Sequence, residues 1–265
     1  MPGTEKAIDK ILVIGWDVGG WMSSNHGFAV LEYAINTDKI FWKGLLNNKA
    51  ISEDKLLKLK SVIDDCGLSG KIERKTGKIK LFQDYKNVVL GVDAPLGLPY
   101  KYHDFIDNSA NIINRPPREI DNPLAYRRTD RLIYKKFNKK PLSATFDRLG
   151  TSYTVAMAHV RSWKKKHNFT LIPQEKQAAQ RQIIEVYPGL IKKLKTEFSE
   201  CEKFFQIIPE EISAGNHSYD AALSALQALA VLLDGQGQLP KMEKPERVDE
   251  ILSTEGWIFF PAVNK

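Results

Sequence analysis

Two apolar segments that each end in an aspartate constrain the fold of this 265-residue chain more than any other feature. Residues 9–18, DKILVIGWDV, and residues 88–93, VVLGVD, are rich in β-branched and aliphatic side chains, which is typical of buried strands. Asp17 and Asp93 are therefore expected at the carboxyl ends of two strands, the edge where functional groups of open α/β sheets gather. A carboxylate at such a position loses solvent and needs a partner.

The other segments complete an alternating α/β pattern. Strands are expected at 26–35 and 39–46, forming a meander with the first, and a short one at 181–189. A helix is expected over 52–67, beginning at Ser52 and ending at Gly67, and a buried one over 216–235. Residues 71–82 are typical of a small hairpin, and residues 237–250 of a surface loop.

Three antiparallel strands followed by parallel strands that alternate with helices match the ribonuclease H-like architecture. We therefore expect one α/β domain over residues 1–265: a mixed sheet flanked by helices, with a helical basic insertion at about 100–170. The buried helix is too short to cross a membrane, and the polar start of the chain lacks the apolar core of a signal peptide. Two cysteines without a CxxC spacing are typical of a reducing setting, so the expected location is cytoplasmic.

The net charge of +7 is concentrated in one segment. Residues 115–167 contain 14 Lys and Arg residues but only four Asp and Glu residues. Such a segment is typical of a surface that binds phosphate backbones, although a solvated helix face has the same composition.

A metal site would explain why two aspartates stand at neighbouring strand ends. In the expected topology the first and fourth strands lie about 4.8 Å apart. The two carboxylates would repel each other unless a cation or a shared proton lay between them. Oxygen ligands of this kind suit Mg²⁺ or Mn²⁺. Either aspartate alone could instead cap a turn, but two in equivalent places weaken that explanation.

Two further acidic residues are candidates for the same site. Asp220 falls in the first turn of the buried helix, where the helix dipole favours a negative charge in any case. His217, three residues earlier, would share its helix face. Glu185 lies inside an otherwise apolar strand, where a charge is unusual unless it points to solvent.

Six short motifs carry a resemblance to a known family. GWDVGG, VDAPLGLP, NPLAYRRTDR, EVYPG, HSYDAALSALQALA and EGWIFFP together resemble a domain-of-unknown-function family described as predicted RNase H-like nucleases, over about residues 11–261. The resemblance implies a ribonuclease H-like fold with a carboxylate-bound divalent metal, with Asp17, Asp93 and Asp220 as acidic positions and Glu185 beside them. HSYDAAL is also similar to the C-terminal helix of Holliday-junction resolvase-like nucleases, which carries a metal-binding aspartate. Those nucleases commonly have a glutamate where this chain has Asp93.

The resulting hypothesis is a nuclease that hydrolyses phosphodiester bonds of DNA or RNA. Asp17, Asp93, Glu185 and Asp220 would be catalytic, and the three aspartates would bind Mg²⁺ or Mn²⁺. One ion would activate a water and a second, about 3.5–4 Å away, would stabilise the leaving oxygen. Phosphates of the nucleic-acid partner would be held by six basic residues: Arg127, Arg128, Arg131, Lys135, Lys136 and Lys140. His217 and Asp130 would be accessory residues.

Three alternatives remain open at the level of the sequence. DVGG resembles the first phosphate loop of actin-like and sugar-kinase-like ATP-binding proteins, although no second Asp-x-Gly loop follows residue 150. The chain could also be a non-catalytic nucleic-acid-binding module of the same fold. Finally, a hydrolase of a small phosphorylated metabolite would keep the metal and change the substrate.

Overall fold

A computed structural model describes residues 9–53, 55–68, 82, 84–107, 114–146, 149–175 and 179–263 of the chain. Its strands are β1 (Lys10–Asp17), β2 (His26–Ala34), β3 (Lys39–Lys49), β4 (Asn87–Asp93), β5 (Thr170–Ile172), β6 (Arg181–Val186), β7 (Met242–Glu243) and β8 (Ile258–Pro261). Its helices are α1 (Leu59–Asp65), α2 (Tyr100–Ile106), α3 (Arg128–Phe137), α4 (Leu149–His167), α5 (Pro188–Leu194), α6 (Ser199–Gln206), α7 (His217–Leu233) and α8 (Glu250–Glu255).

The strands form one eight-stranded mixed sheet in the order β3-β2-β1-β4-β6-β8-β7, with β5 also paired to β6. β1, β2 and β3 pair antiparallel, whereas β4 is parallel to both β1 and β6. This confirms the expected α/β class, the meander and the mixed sheet. No helix in the described ranges is long and apolar enough to span a membrane.

Helices cover both faces of the sheet because its strands alternate apolar side chains between two cores. From β1, Ile11 and Val13 join the core that contains α5, α6 and α7, while Leu12 and Ile14 join the core that contains α1 and α4. This alternation is the two-residue period of a strand buried on both sides. α7 lies across the centre of the sheet, as its apolar sequence predicts.

Glycines allow α7 to lie unusually close to the strands. A Cβ atom on Gly15 of β1 would lie 1.8 Å from the carbonyl oxygen of Ala221, and one on Gly91 of β4 would lie 2.3 Å from that of Ser224. Gly15 and Gly91 are partners in the β1–β4 ladder, so they form a flat platform under the helix. The helix backbone rests directly on the sheet there.

We expect Gly15→Ala to lower the free energy of unfolding by about 1–3 kcal/mol, the usual cost of overpacking. The added methyl would overlap the backbone of α7 and displace the helix. Urea denaturation measures the change, and Gly20→Ala is the matched control because its Cβ would meet nothing closer than 3.4 Å. Equal stabilities of the two variants would contradict the close packing of α7.

Some boundaries differ from those that the sequence indicates. α1 begins at Leu59 rather than near Ser52, because the backbone of Leu57 is held by α4: its N–H donates to Nε2 of His159, and its carbonyl accepts from Trp163. The strand expected over 181–189 ends at Val186, and Pro188 begins α5. The expected loop at 237–250 contains β7 and buries Met242. The expected hairpin at 71–82 lies almost wholly outside the described residues.

Candidate active site

The carboxyl ends of β1 and β4 bring Asp17 and Asp93 together. The two residues are direct partners in the parallel ladder, which places them on adjacent strands at one edge of the sheet. They follow Gly15 and Gly91 by two positions, so they share the α7 face of the sheet with the glycine platform. Both line a cavity of about 200 Å³.

Burial and mutual repulsion disfavour ionisation of this pair. Burial raises the pKa of Asp17 to about 6, and Asp220 adds to the shift while a hydrogen bond from His217 opposes it. The pKa of Asp93 is raised well above its usual value, first by burial and then by the charges of Asp17 and Asp220. Two carboxylates that repel each other in a cavity are suited to binding a cation.

The first turn of α7 supplies His217 and Asp220, as the sequence predicts. Nδ1 of His217 lies 2.6 Å from Oδ2 of Asp17, a hydrogen bond that fixes the orientation of this carboxylate. The start of the helix can approach β1 so closely because Gly27, the ladder partner of Asp17, leaves room: a Cβ there would lie 2.1 Å from the carbonyl oxygen of His217. Gly27 thus allows the first turn of α7, with His217 and Asp220, to approach the end of β1.

Asp220 is already paired with a cation from the protein. Nζ of Lys192, on α5, lies 2.7 Å from Oδ1 and 2.9 Å from Oδ2 of Asp220. The charge of Lys192 also acts to lower the pKa values of Asp17 and Asp93. Lys192 therefore lies within the carboxylate cluster, a neighbour that the sequence does not predict.

Glu185 lies at the same cavity but is bound by an arginine. Nη2 of Arg127 lies 2.7 Å from Oε1 of Glu185, and Nη1 lies 2.8 Å from Oε2, which also accepts from the backbone N–H of Leu96. Arg127 simultaneously donates to both carboxylate oxygens of Asp130. Arg127, Asp130 and Glu185 are each no more than 3% exposed, so they form a buried ion network in the cavity wall.

This network corrects the role predicted for Arg127. A side chain with 2% exposure and every direction of its guanidinium occupied is not a surface phosphate ligand. Instead, the guanidinium pairs with Asp130 and Glu185. Although burial disfavours its charge, the two carboxylates raise the pKa of Arg127, which keeps the guanidinium protonated. Asp130 also accepts from the backbone N–H of Arg127 and so caps α3.

Most of the other predicted phosphate ligands contact groups of the protein. Arg128 pairs with Asp249, Lys136 with Glu243 and Lys140 with Glu119, while Arg131 donates to the carbonyl of Tyr126. Lys135 is exposed.

The basic segment is also divided in space. Arg161, Lys164 and Lys165 border a concave surface next to Thr170, where β5 begins. Thr170 lies at the edge of the sheet opposite Asp17. Ser152, at the other end of α4, lines the cavity, and Lys164 lies about 18 Å from it along the helix. The basic end of α4 is therefore remote from the carboxylates.

The donor atoms at Asp17 and Asp93 fit a hard divalent cation in part. In the described ranges, no three His, Cys, Asp or Glu side chains are grouped so that they could hold a metal ion. Mg²⁺, however, is commonly bound by one or two carboxylates together with water and substrate phosphate. Asp17 and Asp93 form such a pair.

One sequence pattern supports the pairing of Asp17 with Asp93. β1 ends in Gly-Trp-Asp and β4 in Gly-Val-Asp, and this shared Gly-x-Asp pattern indicates two equivalent strand ends under one helix. The sequence offers no comparable signal for Lys192, which is one of several lysines in α5 and the turn after it.

Comparisons of the chain with protein-family models, with curated proteins and with solved structures found no match.

Proposed function

We propose that the protein is a metal-dependent phosphodiesterase of ribonuclease H-like architecture that cleaves DNA or RNA. The observation that carries the proposal is the in-register pair Asp17 and Asp93, two mutually repelling carboxylates on the wall of one cavity. The strand order supports the architecture, because an antiparallel β1–β3 meander is continued by the parallel strands β4 and β6.

Each side chain has a defined task in this proposal. Asp17 and Asp93 would provide the oxygen ligands for Mg²⁺ or Mn²⁺, and the hydrogen bond from His217 holds Asp17 in place. A divalent cation bound there would lower the pKa of a coordinated water and stabilise charge on the phosphate. Pro141 and Leu142 line the same cavity.

The Arg127 network would set the shape of the site. Through Glu185 it holds the backbone N–H of Leu96, close after Asp93, and through its own guanidinium it holds the carbonyl of Glu255. These contacts fix the loop that follows β4 against α8. Arg127 and Glu185 are positioning residues in this account.

A hydrolase of a small phosphorylated metabolite is the second candidate. It is favoured by the size of the cavity, about 200 Å³, and by the ion pairs that already engage Arg128, Lys136 and Lys140. The metal pair would be the same, and only the substrate would differ.

A cleavage panel separates the two candidates. Single-stranded, duplex and branched DNA and RNA, together with nucleoside monophosphates, are incubated with the protein and Mn²⁺, Mg²⁺ or EDTA. We expect polymer cleavage that requires the metal and is lost in the Asp17→Asn, Asp93→Asn double variant. Hydrolysis of monophosphates alone would favour the second candidate. Polymer cleavage that persists in the double variant or in EDTA would refute the metal site.

A further inference from the structure

Lys192 lies where a cation is needed in the carboxylate cluster. It contacts both carboxylate oxygens of Asp220, at 2.7 and 2.9 Å. Its positive charge also acts to lower the pKa values of Asp17 and Asp93. The position follows from the fold, since α5 begins two residues after β6, the parallel neighbour of β4.

An ammonium group in this position changes how many metal ions the site can accept. The lysine ammonium is a compact point charge that occupies space close to the carboxylate oxygens. Nζ donates to Oδ2 of Asp220 and lies 2.7 Å from Oδ1, which accepts no hydrogen bond from the described residues, so a divalent ion at Asp220 would stand next to a positive charge. The pair at Asp17 and Asp93 does not carry this obstacle.

We propose that Lys192 takes the place of a second divalent cation, so that the site binds one ion through Asp17 and Asp93 and uses the Lys192 ammonium to offset charge on the substrate phosphate. Asp220 then serves to position Lys192 rather than to bind metal. This inference rests on the proposed function, because it concerns the same site, and it replaces the two-ion, three-aspartate arrangement that the sequence predicts.

Calorimetric titration of the full chain with Mn²⁺ tests the proposal by counting the ions bound. Mn²⁺ that still binds to the Asp17→Asn variant is subtracted, so that only ions at this site are counted. We expect one equivalent for the wild-type protein. Lys192→Met should bind two, because Asp220 is freed next to the other carboxylates, whereas Lys192→Arg should still bind one.

Lys193→Met is the matched control. It removes the same charge from the next residue of α5, but Lys193 donates to the carbonyls of Phe137 and Asn138 instead of the aspartates. We expect it to bind one equivalent. The side chain of Lys192 is 42% exposed, so Lys192→Met should fold, and a melting curve checks this.

Two results would overturn the inference while leaving the proposed function intact: two equivalents bound by the wild-type protein, or a single equivalent bound by Lys192→Met. A wild-type protein that binds no Mn²⁺ through Asp17 would overturn the proposed function as well. The number of ions therefore distinguishes the two failures.

Discussion

Arg127→Ala should lower the free energy of unfolding by about 3–5 kcal/mol, the usual cost of removing one member of a buried ion network. Glu185 and Asp130 would each keep a buried carboxylate without its main cation. Arg127→Lys should recover only part of the loss, because one ammonium cannot make bidentate contacts with two carboxylates. Chemical denaturation in the absence of metal measures both variants.

The neighbouring arginine provides the control. Arg128 pairs with Asp249 on the surface, with side-chain exposures of 43% and 36%, so Arg128→Ala should change stability little. If Arg127→Ala were as stable as Arg128→Ala, the buried network would not support the fold, and the surface role that the sequence predicts for Arg127 would deserve renewed testing.

Asp93→Asn should reduce metal-dependent cleavage by more than about 100-fold, since even the partners of metal ligands contribute 10- to 100-fold. The same variant should leave the metal-free protein as stable as the wild type or more stable at pH 7, because neutralising one of two crowded carboxylates relieves repulsion. Activity assays with Mn²⁺ and urea denaturation in EDTA measure the two effects. Asp65→Asn, which alters a surface pair with Lys49, should affect neither.

The pH dependence of stability provides a further check on the same pair. The pKa of Asp17 is raised from 3.8 to about 6 in the folded protein, and that of Asp93 is also raised. Between the unfolded and folded pKa values of these carboxyl groups, the folded state binds more protons than the unfolded state. The stability that this extra protonation contributes is therefore lost as the pH rises through about 6. Denaturation of the metal-free wild type should show this decline, and Asp93→Asn should show less of it. A large loss of stability in Asp93→Asn would instead indicate a structural, turn-capping aspartate.

Local sequence patterns predict the strands, and the expected topology, in which the first and fourth strands are neighbours, predicts the Asp17–Asp93 pair. Period-two burial marks β1 and β4, and their last residues must lie at the same edge of a parallel pair. The sequence also predicts that Asp220 lies in the first turn of α7, since an acidic residue at the start of a helix is a local preference.

The interactions that the sequence did not reveal join residues far apart in the chain. Arg127 meets Glu185 across 58 positions, and Lys192 meets Asp220 across 28. Either basic residue looks like an ordinary surface charge when only its neighbours are considered. The late start of α1 has the same origin, because a histidine and a tryptophan from α4 hold the backbone of Leu57.

The close packing of α7 on glycines of the sheet determines when the carboxylate cluster is completed during synthesis. β1 and β4 are synthesised long before α7, residues 217–233. Gly15, Gly27 and Gly91 have no side chains, so their part of the sheet is uncovered until α7 packs against it. A nascent chain that stops short of α7 carries Asp17 and Asp93 without His217 or Asp220. Because such distant contacts form late, the carboxylate cluster is completed only after most of the polypeptide has been made.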